Sequence, residues 1–291
     1  MINPDCANTN LQTNNNIGNK IEDFIKIKCL ADSRSKVYQM KSKLDNQIYA
    51  VKFVNMAMKD NMEKINIQRE KIIMENISHP NIAKLYTTFY DNDYFYFVYE
   101  FIDGTNLENF VKDYQKNNPN SHIPQKLVIS IFKQILLGYN YLYGKGILHR
   151  DIKPDSIMID KNNNVKIISF GLSALFQQNC GVLSYNGSFV GRIDVVCPEI
   201  LNSQKYDFKC DIFSIGYTMF FLMNYCFPTK IIIDQAINET KRIPSNPTKN
   251  EYDKKLVQLV DSMYRENPME RPDTSQALKE LEIIEKNINN P

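Results

Sequence analysis

The stretch ILHRDIKPDSIMID, Ile147 to Asp160, decides how this chain is read. It places His149, Arg150, Asp151, Lys153 and Pro154 close together between two apolar ends. Upstream, Gly144 and Gly146 close a helix that Pro124 opens. In that helix Leu127, Val128, Ile131, Phe132, Ile135, Leu136 and Tyr139 follow the i, i+3, i+4 spacing of a buried face. Downstream, SIMID and VKIIS are joined by the polar turn KNNN and read as a short hairpin.

Further upstream the period changes to two. KVYQM and QIYAVKFV are β-rich runs separated by a turn carrying Asp45 and Asn46. Strand side chains alternate, so Ile48, Ala50, Lys52 and Val54 share one face. A helix is expected from about Glu63 to Ile77, followed by the aromatic strands KLYTTFY and YFYFVYEF. Beyond Asp103 and Gly104 the pattern is mainly helical. The apolar run Ile212 to Met223 is too short to span a bilayer and reads as a buried core helix. The expectation is an α+β architecture: a small β-rich lobe with one main helix (21–103), then a larger, mainly helical lobe (104–287), with a cleft between them. An Asn-rich disordered tail (1–20) precedes them and a short polar tail (288–291) follows.

Net charge is +2, from 35 basic and 33 acidic residues, which gives no electrostatic case for a nucleic-acid or membrane partner. The six cysteines are scattered without a C-x-x-C pair. Neither a zinc site nor a disulfide framework is expected, and the chain reads as soluble, intracellular and cytoplasmic.

Two charged residues stand where apolar ones would be ordinary. Lys52 shares its strand face with Ile48, Ala50 and Val54, and Glu70 lies in the helical stripe of Ile67, Ile73, Met74 and Ile77. A carboxylate on a buried stripe is costly unless it meets a cation, so Lys52 and Glu70 are expected to pair.

Taken in order, AVK (Ala50 to Lys52), Glu70, HPNI (His79 to Ile82), YEF, HRDIKP, SFG (Ser169 to Gly171), CPE (Cys197 to Glu199), DIFSIG (Asp211 to Gly216) and Arg271 resemble the motif series of eukaryotic protein kinases. The resemblance runs from about Ile21 to Glu285, and within the family it is nearest to NIMA-related Ser/Thr kinases. It implies a bilobal kinase fold. By the same resemblance, Asp151 matches the catalytic base and Lys153 the lysine that neutralises the transferred phosphate. Lys52 and Glu70 match the phosphate-anchoring ion pair. Val37, Ala50 and Met158 match the adenine-sandwiching positions, and Glu100 falls at the hinge.

The chain departs from that pattern at several points. Leu30, Asp32 and Ser35 occupy the positions of the three loop glycines that let backbone approach the ATP phosphates, and Asp32 adds a negative charge there. Ser156 and Ser169 stand where the resemblance implies the two metal ligands, and a neutral hydroxyl is a poor magnesium ligand. Arg192 replaces a threonine near the catalytic pair. The expectation is a pseudokinase that acts as a scaffold or allosteric partner for an unidentified protein. It requires no cofactor, binds ATP weakly if at all and has no magnesium site. The alternative is a slow Ser/Thr kinase.

Overall fold

In a computed structural model the described residues are 17–32, 35–119, 121–175, 183–184, 196–202, 205–225 and 252–289. They fall into two compact units, residues 1–65 with 84–101 and residues 66–83 with 102–291.

The first unit is a five-stranded antiparallel sheet of β1 (Phe24–Asp32), β2 (Lys36–Ser42), β3 (Ile48–Asn55), β4 (Leu85–Asp91) and β5 (Tyr94–Glu100), in the order β1-β2-β3-β5-β4. Alternation on β3 sends Tyr49 and Val51 into an aromatic core with Phe24, Tyr38, Met40, Phe89, Tyr96 and Val98. Phe53 joins its margin and stacks edge-on against Tyr96, with ring centroids 4.8 Å apart. The opposite β3 face carries Ala50 and Lys52, both half-buried.

Order begins earlier than the sequence suggests. Ile17, assigned above to the tail, is buried in this core, and the Ser42 hydroxyl donates to its carbonyl at 2.7 Å. Residues 1–16 lie outside the described residues.

Helix α1 (Asn61–Glu75) leads into the second unit, which holds α2 (Leu107–Asn117), α3 (Gln125–Gly144), α4 (Pro198–Leu201), α5 (Lys209–Asn224), α6 (Lys254–Met263) and α7 (Thr274–Asn289). It also holds the short strands β6 (Gly104–Asn106), β7 (Ile147–Leu148), β8 (Ile157–Asp160), β9 (Val165–Ile167), β10 (Ala174–Leu175), β11 (Leu183–Ser184) and β12 (Lys205–Tyr206). Helix α3 buries the apolar stripe that its sequence spells out, and α5 is buried from Cys210 to Met223. No helix of the described residues is long and apolar enough to cross a membrane.

The units part between residues 101 and 102, and residues 66–83 also group with the larger unit. Hydrogen bonds explain this. Residues 81–83 and β9 exchange backbone bonds: Ile167 N–H donates to Asn81 O (2.9 Å) and Ala83 N–H donates to Ile167 O (3.0 Å). The Asn81 amide also donates to Val165 O and to the Gln134 side chain on α3. At the other end of the chain, α7 continues through Asn289, past the expected limit at 287.

Candidate active site

The HRDIKP segment follows β7 and is held by α5. Asp211, in the first turn of α5, accepts the backbone N–H of His149 at 2.7 Å and that of Arg150 at 2.8 Å. Two charge-assisted bonds fix the loop as it turns through Arg150, whose φ is 64°. Burial pushes the Asp211 carboxyl up to about 6, partly offset by those two N–H donors.

His149 is fully buried, and burial brings it down to about 4, with the Lys153 charge acting in the same direction and the Ile168 bond opposing. Its ring is neutral at physiological pH. Nε2 donates to Ile168 O at 2.9 Å, and Nδ1 accepts the Asp151 N–H at 3.2 Å, a tautomer fixed by these partners. The ring meets Phe170 edge-on, with centroids 4.7 Å apart. Met74, on α1, is 1% exposed.

Asp151 and Lys153 come together: Lys153 Nζ lies 3.0 Å from Asp151 Oδ1, both side chains being mostly buried. Ser156 bonds back to its own loop. Its hydroxyl accepts from Lys153 N–H and donates to Lys153 O, each at 2.9 Å, and the residue has no exposed surface. It closes the turn Pro154–Ser156 that leads into β8, where Met158 pairs with Asn106 and Lys166. Ser169 is exposed and left-handed (φ 73°, ψ 60°), a conformation that costs a non-glycine residue about 1 kcal/mol. Arg150 is tied inward, with Nε donating to Leu172 O and Nη1 to the Tyr206 hydroxyl.

Deeper in the same unit Glu199 and Arg271 form a bidentate pair at 2.7 and 2.8 Å. The remaining guanidinium donors reach Arg265 O, Lys209 O and Glu266 O, so this buried ion pair is fully satisfied.

In the smaller unit Lys52 is paired in register with Val37 and Phe97, and its ammonium lies 5.2 Å from the centre of the Phe97 ring. Ala50 sits opposite Tyr99. The Glu100 carboxylate accepts the Lys84 N–H at 2.7 Å. Leu30 is exposed on β1, Ser35 is half-buried, and Asp32 meets Lys36 at 3.5 Å in a solvent-exposed ion pair. Glu70, on α1, is 3% exposed, as its apolar stripe requires. Arg192 lies outside the described residues.

A family profile described as the protein kinase domain matches residues 33–281, most of the chain. The chain belongs to the protein kinase family. It is 28% identical over 249 residues to the serine/threonine-protein kinase Nek11 of Homo sapiens, covering 84% of this chain and 37% of that protein. It is 31% identical over 238 residues to the hormonally up-regulated neu tumor-associated kinase homolog B of Xenopus laevis (79% of this chain, 36% of that protein). Against the 3-phosphoinositide-dependent protein kinase B of Dictyostelium discoideum it is 30% identical over 288 residues (94% and 30%). The chain thus spans about a third of the length of these relatives. The kinase fold and the NIMA-related resemblance agree with these matches.

Two features of this kinase domain were not legible beforehand. The Asn81–Gln134–Val165 network carries no local signature, because its members are far apart in sequence. The cysteine expectation also needs correction. Cys197 and Cys210 form a disulfide, with Cα atoms 5.3 Å apart across a separation of 13 residues. Their spacing matches no motif, and only the approach of α4 to α5 brings them together.

Proposed function

We propose that this kinase-family chain is a pseudokinase, working as a scaffold or allosteric partner of another protein with weak or no phosphotransfer. The observation that carries the reading is Ser156. Its hydroxyl is fully buried, donates to Lys153 O and accepts from Lys153 N–H, so it brings a metal ion no negative charge and at most one remaining lone pair. Ser169 brings only a neutral hydroxyl. Magnesium, which binds through carboxylates and substrate phosphates, does not fit these residues. Asp32 adds negative charge beside the expected phosphate path, and Leu30 adds bulk where glycine is needed. Losing one transition-state stabiliser of this electrostatic kind costs roughly 100- to 1,000-fold in turnover. Two such losses need not multiply.

The pairing of Lys52 with Glu70 and the apolar positions Val37, Ala50 and Met158 belong to this proposal as a residual, base-driven nucleotide site. A slow Ser/Thr kinase is the competing reading, favoured by the intact Asp151–Lys153 pair. The deciding measurement is phosphate incorporation into generic Ser/Thr substrates by the wild type and by Asp151→Asn. Negligible incorporation by both supports the pseudokinase. Robust wild-type activity that disappears in Asp151→Asn overturns it.

A further inference from the structure

Cys197 and Cys210 join two pieces of the larger unit that do different work. Cys197 precedes α4, which carries Glu199. Cys210 stands in the first turn of α5, next to Asp211, whose carboxylate holds the catalytic loop. Both cysteines are buried, at 1% and 3% exposure. They line a small crevice with Arg150, Asp151, Val196 and Ser214, with room for about one water molecule.

Glu199 completes a trio of possible metal ligands with the two sulfurs. Arg271, however, occupies both of its carboxylate oxygens, and a cation placed there would sit beside a buried guanidinium. The trio therefore fits sulfur redox chemistry better than a metal. Cys210 Sγ lies 3.7 Å from Glu199 Oε1, so a reduced thiol has an acceptor waiting. In the oxidised form that oxygen keeps its Arg271 partner. Both redox states are thus satisfied within the same packing.

We propose that Cys197 and Cys210 are a reversible thiol–disulfide modification site, oxidised by hydrogen peroxide, that clamps the base of the catalytic loop. The Cys210 sulfur, as its thiolate, attacks one peroxide oxygen. The O–O bond breaks, and with one proton taken up the second oxygen leaves as water, giving a sulfenic acid on Cys210. Cys197 sulfur then attacks the Cys210 sulfur, the S–O bond breaks, and the thiol proton leaves with hydroxide as a second water. In sum, two thiols and one peroxide give one disulfide and two waters. The exposed Cys29 serves as an internal comparison. The proposal holds whether or not the chain transfers phosphate.

The test uses the full chain, reduced and freed of reductant, then treated with one equivalent of hydrogen peroxide. Mass spectrometry of a non-reduced digest should find the Cys197–Cys210 cross-linked peptide, and a thiol reductant should remove it. Closing a loop of this size should raise Tm by roughly 5 °C or more. Amide exchange over residues 147–152 should slow at the same time. Cys197→Ala and Cys210→Ser should abolish all three responses, while Cys29→Ser should keep them. The idea is overturned if both cysteines stay alkylatable after peroxide while Cys29 oxidises, or if the cross-link forms with Tm and loop exchange unchanged. It is equally overturned if zinc raises Tm of the reduced chain and a chelator reverses the rise.

Discussion

The Ser156 hydroxyl lies 2.9 Å from both the backbone nitrogen and the carbonyl oxygen of Lys153. The Ser156 side chain thus braces its own loop, in which Lys153 lies 3.0 Å from Asp151.

Magnesium dependence is the first consequence. A ligand raises stability by RT ln(1 + [L]/Kd), so thermal shifts report affinity. ATP and adenosine should give similarly small shifts, changed little by magnesium or by a chelator. Ser156→Asn combined with Ser169→Asp should create a difference between ATP with magnesium and ATP with chelator. Measuring both within one variant cancels any packing cost of the larger side chains. A wild-type shift several degrees larger with magnesium would make the slow kinase the better reading.

The Glu199–Arg271 pair should be needed for folding. Arg271→Met leaves a carboxylate buried without its cation, a change that costs about 3–5 kcal/mol. Arg271→Met together with Glu199→Leu should cost less than the sum of the two single changes, because the double variant strands no charge. Urea denaturation of the four proteins reads both numbers. Additive losses would mean that the pair is not energetically coupled.

Two buried groups beside each other should give opposite pH dependences. Burial raises Asp211 to about 6, so its contribution to stability is full below its ordinary value near 4 and is lost as pH rises through about 6. Burial lowers His149 to about 4, so its contribution is full above its ordinary 6.5 and is lost as pH falls through about 4. Between about pH 4 and 6 the slopes largely cancel. Relative to wild type, Asp211→Asn should therefore lose more stability at pH 4.5 than at pH 6.5, and His149→Phe should lose less. The limit is about 1.4 kcal/mol per pH step of one. Urea midpoints at the two pH values check it, and equal offsets at both would refute the burial argument.

Close approach of α5 and α6 should make Gly216 intolerant of a side chain. A Cβ there would lie 2.6 Å from Met263 Cβ and 3.2 Å from the adjoining backbone. Gly216→Ala gains about 1 kcal/mol of helix propensity, but overpacking costs about 1–3 kcal/mol, and here the neighbour is too near the backbone to swing away. Net destabilisation is expected, relieved in part by Met263→Gly but not by Met263→Ala, which keeps the offending Cβ. A rise in Tm for Gly216→Ala would contradict this.

Much of the fold was legible in the chain itself. Alternation in QIYAVKFV set which β3 side chains enter the aromatic core, and the spacing from Leu127 to Tyr139 set the buried face of α3, because both periods are local. Asp151, Lys153, Ser156 and Ser169 were assigned by resemblance from the stretches HRDIKPDS and SFG, whose residues stand within a few positions of one another. The same stretches could not say how the Ser156 hydroxyl is turned, because that depends on the Lys153 backbone around it.

What the sequence by itself determined, then, was the period of the main elements and the family. Only the tertiary structure decided that residues 66–83 join the larger unit, that Asp211 holds the N–H groups of His149 and Arg150, and that Cys197 meets Cys210. The reason is separation along the chain. Asp211 bonds His149 across 62 residues, Asn81 bonds Val165 across 84, and no local period or propensity encodes a partner at that distance. Such contacts exist only once α3 and α5 have buried their apolar faces and carried the attached polar groups into reach.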